Sequence, residues 1–245
     1  MSARDDACER VSGEVPDRTL TFSSVMLLLT LLVAAVALTV AYFVTSRYLH
    51  TDVEVERYWR LMFDMNAEGT VASWFSSALW MLSAGLAAVA AAGDRQAGRA
   101  VWHWLGLAAV FVLLSLDEAA SLHENIGALL DLVVHMEGVL AWSWVLFGGG
   151  LFIAVAAVFG RFILTLPPAI TATFAVAALV FLAGALGVEM YGASVVEGQA
   201  QFPSWLNWTR VIALEELLEM LGVIINVAAL LQVLRGQSPI RLGFR

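Results

Sequence analysis

Acidic side chains and one histidine lie at the ends of two long apolar stretches, and they are the residues best suited to chemistry. The segment SLDEAASLHEN holds Asp117, Glu118, His123 and Glu124, and the segment LEELLEM holds Glu215, Glu216 and Glu219. Ionisable groups near hydrocarbon cost free energy, so they are usually retained for a metal, a proton path or a substrate. The two segments therefore predict a polar functional site in an apolar protein.

Helical geometry groups these side chains into faces. On a regular helix Asp117, Ser121 and Glu124 share one face, whereas His123 projects away from Asp117 unless the helix bends. One stripe of the last apolar stretch is formed by Glu215, Glu219, Gly222 and Asn226, with Glu216 beside it. At a rise of ~1.5 Å per residue, Glu219 lies about 22 Å from the far end of its helix, deepest in the hydrocarbon. We expect it to be the first functional carboxylate.

Carboxylates with an imidazole are typical ligands of iron, manganese or zinc. The candidate ligands are Glu118, His123, Glu124, Glu189, Glu215, Glu216 and Glu219, and further candidates are Asp64, Glu68 and Ser121. This interpretation predicts a metal-dependent membrane hydrolase or oxidase acting on a lipid or a small apolar substrate. Its catalytic residues would be Glu219, Asp117 and Glu124, with the metal activating water or oxygen.

Two other interpretations account for the same carboxylates. In a proton-coupled transporter, Glu219 and Asp117 would exchange a proton against a cation or a small molecule. In a non-catalytic accessory subunit of a membrane complex, the acids would simply be satisfied at the interface by Arg210, Ser121, Asn125 and main-chain groups. The sequence leaves these alternatives open.

The elements that must position these residues are apolar helices. Hydrophobic residues make up 60% of the 245-residue chain and charged residues only 14%, which is far from the composition of a soluble domain. Six stretches are long enough to cross a bilayer, at residues 24–44, 71–92, 100–116, 139–159, 168–190 and 209–234. We therefore predict an all-α, six-helix transmembrane domain over residues 24–235, with polar cytoplasmic tails at 1–23 and 236–245. The third helix could continue to Asn125.

Arginine placement predicts the orientation of this bundle. Nine of the thirteen arginines fall on the side of both termini, and basic residues mark the cytoplasmic side. We therefore expect a bacterial cytoplasmic (inner) membrane protein with both termini inside and the acidic segments outside. His50, His123 and His135 would share that outer side. The net charge of -8 argues against a nucleic-acid partner, and the single cysteine, Cys8, permits no internal disulfide.

Residues 53–65 could form an amphipathic helix on the outer surface. Three segments, FDMNAEGTVASWFSS, LSLDEAASLHE and LEELLEMLG, resemble motifs of an uncharacterised group of bacterial multi-pass membrane proteins, and this resemblance implies no known activity. There is also a distant similarity to the alkaline-ceramidase-like hydrolases, which use a Ser, an Asp and three His around zinc. This chain has Ser121 and Asp117 but lacks the paired histidines of a late helix.

Overall fold

The computed structural model describes residues 23–134 and 136–237, and every regular element in this part of the chain is helical. Six of its helices are long and apolar enough to cross a membrane, which confirms the predicted all-α fold class at that level. The predictions made for Cys8, for His135 and for nearly all of the two polar tails fall outside the described residues.

The helices follow one another with short connections. They are α1 (Ser24–Tyr48), α2 (Glu54–Met62), α3 (Val71–Gln96), α4 (Trp102–Ala120), α5 (Leu122–Asp131), α6 (Trp144–Ile163), α7 (Pro168–Leu182), α8 (Glu189–Val196) and α9 (Trp208–Arg235). A π-helical segment, Ala183–Val188, joins α7 to α8 into one candidate span, Pro168–Val196. The other candidate spans are α1, α3, α4, α6 and α9.

The core lies between α3 and α9, because these two helices bury small and branched side chains along their whole length. Ala87, Ala90, Val227 and Leu230 have no exposed surface. In contrast, Val145 is the one buried residue of α6. Helix α6 is therefore packed more loosely against the rest of the bundle than α3 and α9 are packed against each other.

Two helix starts are fixed by side-chain caps. Thr70 and Ser73 form a reciprocal capping box at the start of α3, with the Ser73 main-chain N–H donating to Thr70 Oγ1 at 3.3 Å. Asn207 accepts from the Arg210 main-chain N–H at 3.1 Å at the start of α9. These caps fix the starts of α3 and α9.

Two predicted boundaries differ from the structure. Helix α4 does not run on to Asn125 in one direction, because Ser121 adopts a left-handed conformation with φ of 50° and the chain restarts there as α5. The fourth span begins at Trp144 instead of residue 139, since Gly138–Leu140 forms a separate 3-10 turn. The predicted surface helix is present as α2, which has no buried residue; its position at a membrane surface stays a prediction.

Candidate functional site

A large cavity runs between α6 and the rest of the bundle. Its volume is about 1080 Å³, and it is partly open to the surroundings. Residues along the whole of α6, from Trp144 to Leu164, line it. Because α6 has 20 residues, the lined length is about 30 Å, close to the thickness of a bilayer core.

One end of this cavity, which we call the acidic end, gathers residues from five separate parts of the chain. Its ionisable lining residues are Glu68, Asp117, Glu118, His123, Glu124, Asp131, Glu189, Glu215, Glu216 and Glu219. All seven candidate metal ligands and all three candidate catalytic residues are therefore brought together. Of the further candidates, Glu68 joins them, whereas Asp64 and Ser121 do not line the cavity.

The chain at the end of α7 and the start of the π-helical segment packs closely against α9 beside Glu215 and Glu219. A Cβ atom at Gly184 would lie 2.7 Å from the Glu215 carbonyl oxygen and 3.0 Å from Glu219 Cγ. One turn further along α9, a Cβ atom at Gly222 would lie 2.7 Å from the Phe181 nitrogen. Only glycine permits such backbone contact.

The π-helical segment begins at the same point and carries the chain to Glu189. Such π-bulges are frequently found at functional sites. Glu189 and Glu215 share a side-chain hydrogen bond, and the Trp144 indole Nε1 donates to Glu189 Oε1 at 2.9 Å. Glu189 thus links α6, α8 and α9 at the acidic end of the cavity.

The carboxylates of the acidic end interact mainly with one another. Glu216 interacts electrostatically with Glu118 and Glu68, and Glu219 interacts with Glu216 and Glu118. Among the described residues, no arginine lines the cavity, and the chain contains no lysine. Like charges at this spacing cannot all stay ionised without compensation. The acidic end therefore requires protons or a cation from outside the fold.

His123, the one histidine among the described residues that line the cavity, is held by Asp117. The left-handed Ser121 bends the chain so that the His123 main-chain N–H donates to Asp117 Oδ1 at 2.7 Å, and His123 Nδ1 lies 3.0 Å from Asp117 Oδ2. The bend thus brings together two residues that a regular helix would separate. Burial lowers the pKa of His123, but the hydrogen bond and the charge of Asp117 outweigh it, so the net pKa is raised. His123 also packs on Trp144, with ring centroids 4.8 Å apart.

Glu68 approaches the same group from the connection between α2 and α3. Its Oε2 is buried and has no hydrogen-bond partner among the described residues. The pKa of Glu68 is raised to about 7, chiefly by burial; the charge of His123 opposes this rise, and the charges of Glu124 and Asp117 add to it. Gly69, with φ of 73°, and the Thr70 cap turn the chain at this point. The fold therefore fixes Glu68 in position at the acidic end.

The rest of the cavity is apolar and aromatic. Towards the opposite end of the bundle it is lined by side chains such as Leu107, Phe111, Phe152, Val155, Phe159, Phe174, Ala178 and Phe181. Two polar side chains interrupt this apolar part, Thr171 and Asn226. Thr171 Oγ1 donates to the Ile163 carbonyl at 2.8 Å, whereas Asn226 Nδ2 has no partner among the described residues. The cavity as a whole is amphipathic, because acidic side chains line one end and mainly apolar side chains line the rest.

Other predicted partners of the acids are engaged elsewhere. The Arg210 guanidinium donates to the Trp205 carbonyl, and Asn125 Nδ2 donates to the Ser121 carbonyl at 2.7 Å. Asp64 caps a turn by accepting from the Asn66 main-chain N–H at 3.0 Å. These contacts do not neutralise the acidic end.

Sequence reasoning did not single out the Asp131 carboxylate as a site residue. In the structure it accepts from the Ser143 hydroxyl and ties α5 to the start of α6. Asp131 is the last residue of α5, and Ser143 lies twelve residues further along the chain, so no local sequence pattern indicates this pair. A serine just before an apolar run, such as Ser143, is a common helix start, but this pattern does not predict which acid its hydroxyl contacts.

No group of three or more His, Cys, Asp or Glu side chains is arranged to hold a metal ion within residues 23–134 and 136–237. The acids share a cavity, yet their positions do not form a preorganised coordination shell. Iron, manganese or zinc at this site therefore stays a prediction without structural support.

Comparison with known protein families gives one match, which covers residues 26–234 and is described as a domain of unknown function, DUF8692. The chain belongs to this family. The match contains four of the six candidate spans completely and all but the terminal residues of α1 and α9. It includes every residue of the acidic end, so the cavity lies wholly within the family's domain. Comparison with curated proteins and with solved structures gives no match.

Proposed function

We propose that this DUF8692 protein is a multi-pass membrane protein that binds an amphiphilic cation in the cavity beside α6 and carries it across the bilayer. The observation that carries the proposal is the cavity itself, acidic at one end and apolar along the rest of its length. Sites usually provide a few convergent polar groups in a mainly apolar pocket. Here all the convergent charges but one are negative.

The charge of the ligand follows from what the acidic end lacks. His123 is the one basic side chain among the described lining residues, and Asp117 already pairs with it. The remaining carboxylates gain most from a bound cation, because electrostatic attraction is strong where water is partly excluded. An anionic ligand would meet like charge from several elements at once.

The size and polarity of the remaining lining favour a ligand with a long apolar part. Small-molecule pockets enclose about 300–1000 Å³, and this cavity exceeds that range at about 1080 Å³. Its lined length of about 30 Å matches a lipid-like chain more closely than a compact metabolite. A cationic head group at Glu216 and Glu219 with its chain along α6 would occupy the volume.

The loose packing of α6 supports movement of the ligand. With Val145 as its one buried residue, α6 makes a poor hydrophobic seal, and elements with few buried contacts are those that open at low cost. The basic-residue asymmetry favours an outer location for the acidic end, so we propose that the cavity takes up its ligand from that side of a cytoplasmic membrane.

The first test is a binding measurement with two probes of matched shape and opposite charge. The protein is purified into nanodiscs of a zwitterionic lipid and titrated with tetraphenylphosphonium and with tetraphenylborate. Quenching of tryptophan fluorescence reports binding, since Trp80, Trp142 and Trp144 line the cavity. The proposal expects saturable binding of the phosphonium alone. Equal binding of both ions would contradict it.

The second test separates transport from the other interpretations. Proteoliposomes are loaded with buffer and given ethidium outside, with and without a pH gradient. Uptake above that of empty liposomes supports a carrier, and dependence on the gradient adds the proton coupling that the sequence predicts. Elemental analysis of the same preparation tests the enzyme interpretation. Stoichiometric iron, manganese or zinc without ethidium uptake would overturn the proposal, and absence of metal, binding and uptake would leave the accessory-subunit interpretation.

A further inference from the structure

Two carboxyl groups at the acidic end bond each other directly. Glu189 begins α8, just after the π-helical segment, and Glu215 lies in the second turn of α9. Their side chains share a hydrogen bond. An ionised carboxylate can only accept, so this bond forms only when one of the two groups carries a proton. The pair therefore holds one proton between two acids.

The contact with α6 determines which of the two acids carries that proton. Trp144 Nε1 donates to Glu189 Oε1 at 2.9 Å, and an indole nitrogen is a donor only. Trp144 also packs closely against α5, where a Cβ atom at Gly127 would lie 3.0 Å from Trp144 Cβ. A donor held against Glu189 stabilises negative charge there. The shared proton therefore lies on Glu215, which donates to Glu189.

The pair adjoins the carboxylates that we propose to bind the cationic head group. Glu216 interacts electrostatically with Glu189, and Glu219 interacts with both members of the pair. All four carboxyl groups line the cavity, which is partly open, so a proton can pass between the pair and the surroundings. A positive charge bound at Glu216 and Glu219 opposes a proton on Glu215, because like charges repel strongly where water is partly excluded.

The other titratable side chains that line the cavity come from three parts of the chain. They are Glu68 before α3, Asp117 and Glu118 on α4, and His123, Glu124 and Asp131 on α5. His123 is the one basic group among these described residues, and it pairs with Asp117 at 3.0 Å. Arg210 on α9 donates to the Trp205 carbonyl. The charge of the pair is therefore compensated by its own proton and by the Trp144 donor.

We infer that the Glu189–Glu215 pair is the proton-binding site of this cation carrier, and that it releases its proton when the cationic head group binds. This inference rests on the proposed function. The O–H bond of the Glu215 carboxyl group breaks, the proton leaves through the open cavity, and both carboxylates then attract the bound cation. One positive charge enters as one leaves, so the site exchanges a cation for a proton. The sequence-based interpretation gave the proton to Glu219 and Asp117, whereas these contacts assign it to a different pair of residues.

The experiment counts the protons released when tetraphenylphosphonium binds. Nanodiscs that contain the protein are titrated to saturation by calorimetry in two buffers of different ionisation enthalpy, across a pH series, and the heats of empty nanodiscs are subtracted. The dependence of the heat on the buffer gives the number of protons released per bound ion. The proteins compared are wild type, Glu189→Gln, Glu215→Gln and the double variant. The matched control is Glu197→Gln, an exposed glutamate just after α8.

Both single variants and the double variant should release about one proton fewer per bound ion than wild type and the control, because the pair holds one proton in total. In Glu215→Gln the amide donates to Glu189 without a proton to release. In Glu189→Gln the Glu215 carboxyl group loses the carboxylate that accepts its proton. Where the pair is protonated, the affinity of wild type should therefore rise about tenfold more per pH unit than the affinity of the variants.

Two results would overturn the inference while the proposed function stands. One is a wild-type proton count in Glu215→Gln. The other is a double variant that releases about two protons fewer than wild type, since the two acids would then titrate independently. Absence of saturable phosphonium binding by wild type would instead contradict the proposed function, and the inference would fall with it.

Discussion

The two ends of the bundle treat their buried carboxylates in opposite ways. At the end opposite the acidic end, Asp94 is surrounded by donors: Oδ1 accepts from Arg99 Nη2 at 2.6 Å and Gln237 Nε2 at 2.9 Å, and Oδ2 accepts from Trp104 Nε1 at 3.0 Å. At the acidic end, carboxylates meet mainly other carboxylates around an open volume. Donors within the fold neutralise Asp94, whereas the carboxylates of the acidic end require protons or a cation from outside the fold.

This difference separates a structural acid from a functional one. Asp94 closes the α3–α4 turn, because Arg99 and Trp104 follow it within ten residues, and it holds the carboxyl end of α9 through Gln237. Acids that stabilise a fold are paired, whereas acids at functional sites are commonly held in unfavourable surroundings. Variants at the two ends should therefore fail in different assays.

The largest expected effect is the loss of cation binding in a Glu216→Gln, Glu219→Gln double variant. Two charge-assisted interactions disappear, so the affinity for tetraphenylphosphonium should fall at least about 100-fold. The melting temperature should not fall, because repulsion among the remaining acids decreases. Glu197→Gln, an exposed position at the end of α8, is the control. Wild-type binding by the double variant would remove the distinction between the two ends.

The reciprocal change is Asp94→Asn, which should reduce stability and leave binding intact. Trp104 is only 1% exposed, so losing the carboxylate weakens a buried hydrogen bond, at a cost of about 2 kcal/mol. Arg99 contributes little, because its side chain is 56% exposed. Thermal unfolding in detergent measures the change. A loss of phosphonium affinity without a loss of stability would show that Asp94 belongs to the ligand site.

A smaller effect is expected where α7 and α9 touch. Gly222→Ala would place a methyl group within 2.7 Å of the Phe181 nitrogen, and such overpacking costs about 1–2 kcal/mol. The matched control is Gly149→Ala in α6, where no atom lies within 4 Å of the added Cβ. Melting temperatures should fall for the first variant and not for the second. Equal effects would mean that the close helix contact does not hold the acids in place.

The smallest effect is a pH dependence of stability that arises at Glu68. Its pKa rises from 4.5 to about 7 on folding, chiefly through burial. The stabilising effect of the bound proton is complete below pH 4.5 and is lost as the pH rises through about 7. Between pH 5 and 6.5, below the window of His123, wild type should therefore lose more stability than Glu68→Gln. Parallel pH curves for the two proteins would contradict this placement of Glu68.

Hydropathy and spacing predicted much of this arrangement. Each of the six apolar stretches corresponds to a candidate span, because length and apolarity are local properties. The stripe of Glu215, Glu219, Gly222 and Asn226 on α9 lines the cavity as expected, apart from the tight packing of Gly222 on Phe181. Helical periodicity fixes such faces without any tertiary information.

What could not be predicted depends on tertiary packing. Ser121 is a common residue with no local signal for a left-handed conformation, yet its φ of 50° brings His123 onto Asp117. The π-helical turn before Glu189 likewise arises where Gly184 meets the Glu215 carbonyl. The loose packing of α6, and hence the cavity, depends on which helices pack against one another in the folded protein. Apolarity alone does not reveal this.

The most direct test of the amphipathic cavity is photo-crosslinking with a long-chain amine that carries a diazirine in its chain. The protein in nanodiscs is irradiated with the probe, with and without excess octadecylamine, and labelled peptides are mapped by mass spectrometry. The account predicts competable labelling on the cavity faces of α6, α7 and α9, lost in the Glu216→Gln, Glu219→Gln variant. Labelling confined to α1, which does not line the cavity, or labelling unaffected by competitor and variant, would contradict it.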